Sequence, residues 1–408
     1  MKTLAQDRTS ELPDGWQVER LGDACRIKTG KKDVNEGNPA GKYPFFTCSK
    51  EIHYSDSYSF DTEAILVAGN GAVGETKYFS GKFEAYQRTY VLDQFSAFAP
   101  YVFLFLKGTL VTELARLVTG STMPYIRKGD LENIEFPVPP LPEQRKIAGV
   151  LGLVQRAIEQ QGRLIEKTAE LKKTLLHQLF TQGTRGEPQK QTDFGPIPES
   201  WEVMRVGRFG KAVTGSTPST KNPEYYGGTY RLVSPADLDA GKYVVSSHRT
   251  LTEAGFAECR ALPKDSVLVG CIGNIGKIGM APDERCATNQ QINSVICSKE
   301  FNPHFLYYCL QFHRPRLEQA AARVTLPILN KSNFENFLVA APEKADQDEV
   351  AKVLSAVDEK TAHHRRKYAT LSALFRTLLH QLMTAQLRVH DLELDGILEQ
   401  AVQETDAP

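Results

Sequence analysis

The sequence predicts an α+β fold: two pseudo-symmetric globular units separated by a pair of long antiparallel, coiled-coil-like helices. Three observations carry that expectation. The chain repeats itself over most of its length, each copy runs into a long proline-free amphipathic stretch, and short strand-like runs broken by turn residues fill the interior of each copy.

The duplication comes first. Thr122-Met123-Pro124-Tyr125-Ile126-Arg127-Lys128 recurs 203 positions later as Thr325-Leu326-Pro327-Ile328-Leu329-Asn330-Lys331. At the same offset Leu131-Glu132-Asn133 returns as Phe334-Glu335-Asn336, Glu143-Gln144 as Asp346-Gln347, and Leu175-Leu176-His177-Gln178-Leu179 as Leu378-Leu379-His380-Gln381-Leu382. Near the start the offset is 185, matching Pro13, Trp16 and Val18 with Pro198, Trp201 and Val203, and Thr29-Gly30 with Thr214-Gly215. It has grown to 202 by Ile65-Leu66-Val67 against Val267-Leu268-Val269, so the second copy carries 17 extra residues between Gly215 and Val267. A framework that matches while its interior diverges is what two copies of one scaffold look like when they read different ligands. Neutral drift after duplication is the alternative.

The repeat divides the chain into a first globular unit at 12–142, a long helix at 143–181, a linker at 182–196, a second globular unit at 197–342, a second long helix at 343–385 and an acidic tail at 386–408. Within the units, residues 64–68, 90–92, 267–269 and 294–296 read as strands, and 101–106, 112–118, 305–311 and 316–322 as helices. In the first long stretch Ile147, Val150, Leu151, Val154, Ile158, Leu164, Ile165, Leu171, Leu175 and Leu179 recur at spacings of three and four. Its twin repeats the stripe at Val350, Val353, Leu354, Val357, Tyr368, Leu371, Leu374, Phe375, Leu378 and Leu382. Each helix would be about 55–60 Å long, too long to leave a full apolar stripe in water, so the two are expected to pack on each other. Gln161 and His364 interrupt the stripe at the same repeat position and are expected to set register.

A chain of 408 residues is long enough for two or three domains with cores of their own. No apolar run reaches the length of a membrane span and residues 1–8 hold no signal-peptide core, so no membrane role and a cytoplasmic location are expected. Seven cysteines, an odd number without a CxxC pair, support neither a disulfide framework nor a zinc ribbon. The formal net charge of zero is an average over unlike parts. The tail from 386 carries one Arg against six acids, residues 143–180 carry seven Lys and Arg against four Glu, and residues 197–342 carry sixteen against thirteen. Local basic clusters on balanced domains remain compatible with DNA binding.

Catalytic motifs fail on context. Gly69-Asn70-Gly71-Ala72-Val73-Gly74 fits GxGxxG, but a second strand-like run follows where a dinucleotide site needs a helix, and the other copy opens on Cys271. Residues 270–277 mimic a phosphate loop without its GxxxxGK[ST] spacing. These glycines read as turns between paired strands, and neither a catalytic nor a metal-binding residue is expected.

At this point the residues carry a resemblance. The Pro-x-x-Trp-x-Val starts, Thr214-Gly215-Ser216-Thr217-Pro218, Tyr225-Tyr226-Gly227-Gly228, Ser234-Pro235-Ala236-Asp237-Leu238, the Gly-x-Ile-Gly-Lys turn at 273–277 and Asn289-Gln290-Gln291 resemble a type I restriction-modification specificity subunit. The junction Pro139-Pro140-Leu141-Pro142-Glu143-Gln144-Arg145-Lys146-Ile147-Ala148 resembles that family's passage from target recognition domain to conserved helix, and the likeness covers residues 12–385. The second junction, at 340–347, has lost most of the prolines, and the tail has no counterpart.

The resemblance implies two target recognition domains, each reading one half of a bipartite, asymmetric sequence in double-stranded DNA, with the helices acting as a ruler for the unread spacer. It implies two DNA adenine methyltransferase subunits and two ATP-dependent restriction subunits as partners. S-adenosylmethionine, ATP and magnesium then belong to those partners and none to this chain. A related system with a fused methyltransferase and nuclease partner is the alternative, which neighbouring reading frames would decide. A protein-binding scaffold without DNA is a further rival class, which a DNA-binding assay separates.

Base reading needs side chains that pair with base edges, and phosphate contacts need cations or backbone amides. The candidates in the first unit are Lys31, Lys32, Asn70, Arg88, Ser121, Thr122, Tyr125, Arg127 and Lys128. In the second they are Ser216, Thr217, Ser219, Thr220, Lys221, Asn274, Lys277, Gln290, Gln291, Arg323, Thr325 and Lys331. For each of them the alternative is a solvated or turn-capping role.

Overall fold

A computed structural model describes residues 12–117, 125–239, 241–321 and 327–389. The chain divides into two compact units, Met1–Gly162 with Arg366–Pro408, and Arg163–Arg365, so both boundaries fall inside the long helices.

In the first unit the strands are β1 (Gln17–Arg20), β2 (Arg26–Thr29), β3 (Tyr43–Phe46), β4 (His53–Ser55), β5 (Phe60–Ala68), β6 (Thr76–Ala85), β7 (Thr89–Asp93) and β8 (Glu135–Val138). β1 pairs with β8, and the remaining strands form one sheet in the order β2-β7-β5-β6-β3-β4. The central β5 is buried along its second half because Ala64, Ile65, Leu66, Val67 and Ala68 face cores on both sides of the sheet. The two helices expected at 101–106 and 112–118 are one, Ala99–Leu117, whose Tyr101, Val102, Phe105 and Leu106 enter the main core.

The second unit opens where a linker was expected. Residues 189–198 fold as a hairpin of β9 (Gln189–Thr192) and β10 (Gly195–Pro198), with Thr192 Oγ1 donating to the Gly195 carbonyl at 2.7 Å across the turn. Its strands are short, β9 wholly polar and β10 carrying two prolines, so neither alternation nor apolar runs mark them. Then follow β11 (Glu202–Arg205), β12 (Gly210–Thr214), β13 (Tyr226–Val233), β14 (Arg249–Leu251), β15 (Val267–Gly270), β16 (Ile278–Met280), β17 (Cys286–Thr288), β18 (Ile292–Cys297) and β19 (Leu338–Ala341). β11 pairs with β19, as β1 does with β8. The orders β12-β18-β15-β16 and β14-β13-β17 reproduce the first sheet once β16 and β17 are seen as the two halves of β6. Pro282, which has no N–H to give a ladder, sits at the break, at the position of Phe79. The parallel pair survives: Phe46 faces Ala85 in one unit and Val233 faces Thr288 in the other. Most of the extra length of the second copy therefore falls after Val233, around β14 and the short helix Glu253–Ala257.

The duplicated residues make duplicated bonds. The amide of Leu21 donates to the Ile134 carbonyl at 2.8 Å and that of Val206 to Phe337 at 2.9 Å. Ile126 donates to Gly69, and Leu329 to Cys271, both at 2.9 Å. The glycine motifs are turns between strands: Gly74 and Gly276 have φ of +79° and +77°, which an L side chain resists. They return their amides to Ala68 and Gly270 at 3.0 and 3.1 Å.

Both long helices form, Leu141–Gln182 and Lys344–Met383. Within the first unit the start of the first helix runs against the end of the second: Arg388 pairs with Glu143 at 2.9 Å, and Ile147, Leu151 and Ile158 share a core with Phe375, Leu379 and Leu382. Within the second unit Lys172 pairs with Asp358 at 2.7 Å and Arg185 with Asp346 at 3.4 Å, while Leu179 and Phe180 share a core with Val350 and Leu354. Partner numbers fall as residue numbers rise, so the halves pair antiparallel in each unit. The stripe is narrower than its sequence: Leu171, Val353, Tyr368 and Leu374 are exposed. Val353, one residue and about 100° of turn before the buried Leu354, shows why a run of apolar neighbours cannot all face one seam.

Gln144 and Gln347 explain the repeated acid-Gln pair. Each is buried at the start of its helix. Gln144 accepts the Phe98 N–H and donates to the Pro139 carbonyl, both at 2.7 Å. Gln347 accepts the Asn302 N–H at 3.0 Å and donates to the Pro342 carbonyl at 2.9 Å. Truncation strands two buried backbone groups, so Gln144→Ala and Gln347→Ala should each cost about 1–3 kcal/mol. The two tryptophans, Trp16 and Trp201, lie one per unit. Urea denaturation followed by their fluorescence should therefore show each variant lowering the transition of its own unit, and an unchanged midpoint would contradict the clamp.

Candidate nucleic-acid interface

Each unit carries a cleft at the same place in its fold, and one close approach builds both. The Thr-Gly step ends β2 and β12. A Cβ on Gly30 would lie 1.8 Å from the Ala85 carbonyl oxygen, and one on Gly215 would lie 2.2 Å from that of Thr288. Only glycine lets the backbone cross here. The amides then bond onward, Gly30 to Thr89 at 3.2 Å and Gly215 to Ile292 at 3.1 Å. The loop after the step is thus pinned against the turn at 86–88 in the first unit and at 289–291 in the second.

The first cleft, about 400 Å³, is lined by Thr29, Gly69, Asn70, Gln87, Arg88, Tyr90, Tyr125, Ile126, Arg127 and Lys128. Tyr90 Oη donates to the Ile126 carbonyl at 2.8 Å and fastens the 125–128 segment over the sheet end. Arg127 donates to Tyr125 Oη at 3.0 Å and covers its ring, so a flat cation is held on an aromatic surface. That hydrogen bond and nearby Asp130 raise the guanidinium above its ordinary pKa. Arg88 is exposed and has no ion-pair partner among the described residues.

The second cleft, about 290 Å³, is lined by Thr217, Thr220, Leu232, Ser234, Arg249, Asn289, Gln290 and Gln291. Its polar groups are mostly amides and hydroxyls. Thr217 Oγ1 donates to Gln290 Oε1 at 2.7 Å, which engages the acceptor end of that amide, and Asn289 Nδ2 donates to Gln291 Oε1 at 3.0 Å. Arg249 lies over the Tyr226 ring, 4.7 Å from its centroid. Below the cleft Asp237 takes N–H bonds from His248 and Ser234, both at 2.8 Å, and the Ser234 hydroxyl at 2.7 Å. Burial opposes its charge, but these donors outweigh it and hold the carboxyl below its usual range. The Ser-Pro-Ala-Asp motif is therefore a capping box that supports the cleft wall.

The structure gathers Asn70, Arg88, Tyr125, Arg127 and Lys128 into one cleft and Thr217, Thr220, Gln290 and Gln291 into the other. Lys31 and Lys221 are exposed beside the clefts without lining them. Lys32 is committed elsewhere. Its ammonium donates to Ser55 and Ser57 at 2.8 and 2.7 Å and lies 3.8 Å from buried Glu84, whose charge it balances. Ser216 and Ser219 accept backbone N–H groups of Arg260 and Lys221 at 3.3 and 3.4 Å and shape the loop. Asn274 and Lys277 sit on the second glycine turn outside the lining, and Lys331 pairs with Glu335 at 3.6 Å, as Lys128 does with Glu132 at 3.0 Å. Ser121, Thr122, Arg323 and Thr325 lie outside the described residues. Sequence reasoning passed over Gln87, although it stands at the repeat offset from Gln290, and Arg249, which no pattern marks.

Among the described residues no group of His, Cys, Asp or Glu is placed to hold a metal, and no helix is long and apolar enough to cross a membrane. The seven cysteines are free, and burial pushes the Cys25 and Cys286 thiols up to about 12.

Comparison with known proteins bears on both units. The family model described as type I restriction modification DNA specificity domain matches twice, at residues 13–167 and 198–373. The EcoDI type I restriction enzyme specificity subunit of Escherichia coli is 28% identical over 413 residues, spanning 94% of this chain and 87% of its own. The MjaVIII type I specificity subunit of Methanocaldococcus jannaschii is 24% identical over 407 residues, spanning 93% and 95%. The crystal structure of the type I restriction-modification S subunit from M. genitalium superposes with a TM-score of 0.67 at 17% identity, over 92% of this chain and 97% of its own, a likeness of fold.

Proposed function

The chain belongs to the type I restriction modification DNA specificity family, and from that premise we propose that it reads DNA for its complex and performs no chemistry itself. Each domain reads one half of a bipartite, asymmetric site through its cleft. Two DNA adenine methyltransferase subunits and two restriction subunits supply catalysis, together with S-adenosylmethionine, ATP and magnesium, in the cytoplasm.

One observation supports the division into two readers above the rest. The frameworks repeat bond for bond, while the turn at one topological position carries Tyr86-Gln87-Arg88 in one unit and Asn289-Gln290-Gln291 in the other. Guanidinium groups pair best with guanine O6 and N7, and Gln or Asn amides with adenine N6 and N7. At the turn position where the two differ in this way, Arg88 against Gln291, the first cleft favours guanine and the second adenine, while Gln87 and Gln290 are alike. Phosphate contacts fall to cations such as Lys128 at the cleft rim, which position without specifying.

Arg88→Ala should relax a guanine in one half-site and Gln291→Ala an adenine in the other, each by about 1–3 kcal/mol of discrimination. Sequencing of DNA selected by the methyltransferase complex reads the outcome. Uniform weakening without any change of base preference would assign these residues to the DNA backbone instead. The purified chain, freed of partners, should neither transfer methyl groups nor cleave DNA, and either activity in rigorously partner-free protein would end the non-catalytic reading.

A further inference from the structure

Each cleft holds a guanidinium over a tyrosine ring, and the two pairs come from different parts of the fold. In the first unit Arg127 lies 5.6 Å from the centre of the Tyr125 ring and donates to its Oη at 3.0 Å. In the second, Arg249 at the start of β14 lies 4.7 Å from the ring centre of Tyr226, which opens β13. The repeat does not relate these pairs. At the positions of Tyr125 and Arg127 the second copy carries Ile328, which bridges to Ile272, and Asn330, which caps the next helix by accepting the Asn333 N–H at 2.8 Å. In the other direction the sheet register carries Arg249 to His53, since Leu232 faces Arg249 as Phe45 faces His53. His53 shares a hydrogen bond with Ser49 Oγ at 3.2 Å instead.

An arginine over an aromatic ring is common in itself, about one per 70–80 residues. Its loss at one position of a cleft and its gain at another is different, because drift would remove the first pair without supplying the second. The second pair is also built in. His248, next to Arg249, gives its N–H to buried Asp237 at 2.8 Å, Leu251 two residues on is buried, and Tyr226 Oη donates to the Pro218 carbonyl at 2.8 Å. Both arginines are exposed, and among the described residues neither has a carboxylate within ion-pair distance. A ring covering one face of a guanidinium leaves the N–H edge to bond, and that edge matches the paired oxygens of a phosphate. Base reading is the other use of such an edge. The reading turn has diverged, Arg88 against Gln291, whereas the Arg-Tyr pair is kept in kind. Two unlike half-sites share their phosphates and not their bases.

We propose that Arg249 on Tyr226 is the phosphate anchor of the second half-site, standing in for the Tyr125 and Arg127 pair of the first. The assignment rests on the DNA-reading function proposed above and adds the residues that fix each half of the duplex in register. It also separates two roles within one cleft, a turn that changes with the bases and an anchor rebuilt so that the backbone is still held.

The test uses the full chain co-purified with the methyltransferase subunit encoded beside it. Duplexes selected from a random pool by the wild-type complex supply the target, and fluorescence anisotropy follows the binding of that duplex and of an unselected one at several salt concentrations. Arg249→Ala should weaken both duplexes at least about tenfold, reduce the slope of log affinity against log salt by about 0.9, and still select the wild-type sequence. Arg127→Ala should do the same. Tyr226→Leu, which keeps the charge and removes its platform, should weaken both duplexes with the slope unchanged. Arg249 is exposed on an edge strand, so Arg249→Ala should melt with the wild type. A changed base preference in Arg249→Ala would make this residue a base reader and overturn the anchor, as would wild-type affinity in Arg249→Ala or in Tyr226→Leu. A wild-type complex that selects no sequence would overturn the DNA-reading function itself, and with it this anchor.

Discussion

The antiparallel pairing of helix halves is the constraint on which the rest depends. A helix with apolar residues every third and fourth position along its whole length cannot leave that stripe in water. Each unit solves this by laying the beginning of one long helix against the end of the other and sinking both into its domain core. In the first unit the packing is close enough that a Cβ on Gly108 would come within 2.1 Å of Leu379 Cδ2. An Arg beyond one helix end meets an acid at the other helix start in both units, Arg388 with Glu143 and Arg185 with Asp346. The first pair is bidentate, half-buried and shared with Trp16 Nε1 at 3.0 Å. The second is largely exposed and contributes no more than about 0–1 kcal/mol. The geometry is repeated while its strength is not.

What was legible in the sequence follows from the range of the interactions. The long helices are local patterns, and their period showed them without tertiary help. The repeat showed that two domains share one plan, and the plan reappears as paired hydrogen bonds at Leu21 and Val206, Ile126 and Leu329, and Gly74 and Gly276. The hairpin at 189–198 escaped because its strands are short, one of them polar and the other carrying two prolines. Lys32 could be named as a cation, but only the bridge that sets it beside Tyr86 reveals that Glu84 already engages it. Gln87 was written in the repeat itself and needed only the offset that links it to Gln290.

The two clefts show how one framework accommodates change. The backbone crossing at Gly30 and Gly215 fixes where the loop and the turn meet, and it tolerates no side chain. The side chains carried on that crossing bear little packing load: Arg88 is exposed and its counterpart Gln291 is half-buried. Substitution there alters what is presented without disturbing the sheet beneath it. Function can therefore diverge between copies at a position where the fold is most strictly held.

The central claim is that the two domains read independently from equivalent positions. Replacing residues 197–342 with the corresponding domain of a relative of different specificity, then mapping methylated adenines across a genome, tests it most directly. The account predicts a new sequence in one half-site and the original sequence in the other. A change in both half-sites, or in neither, would contradict it.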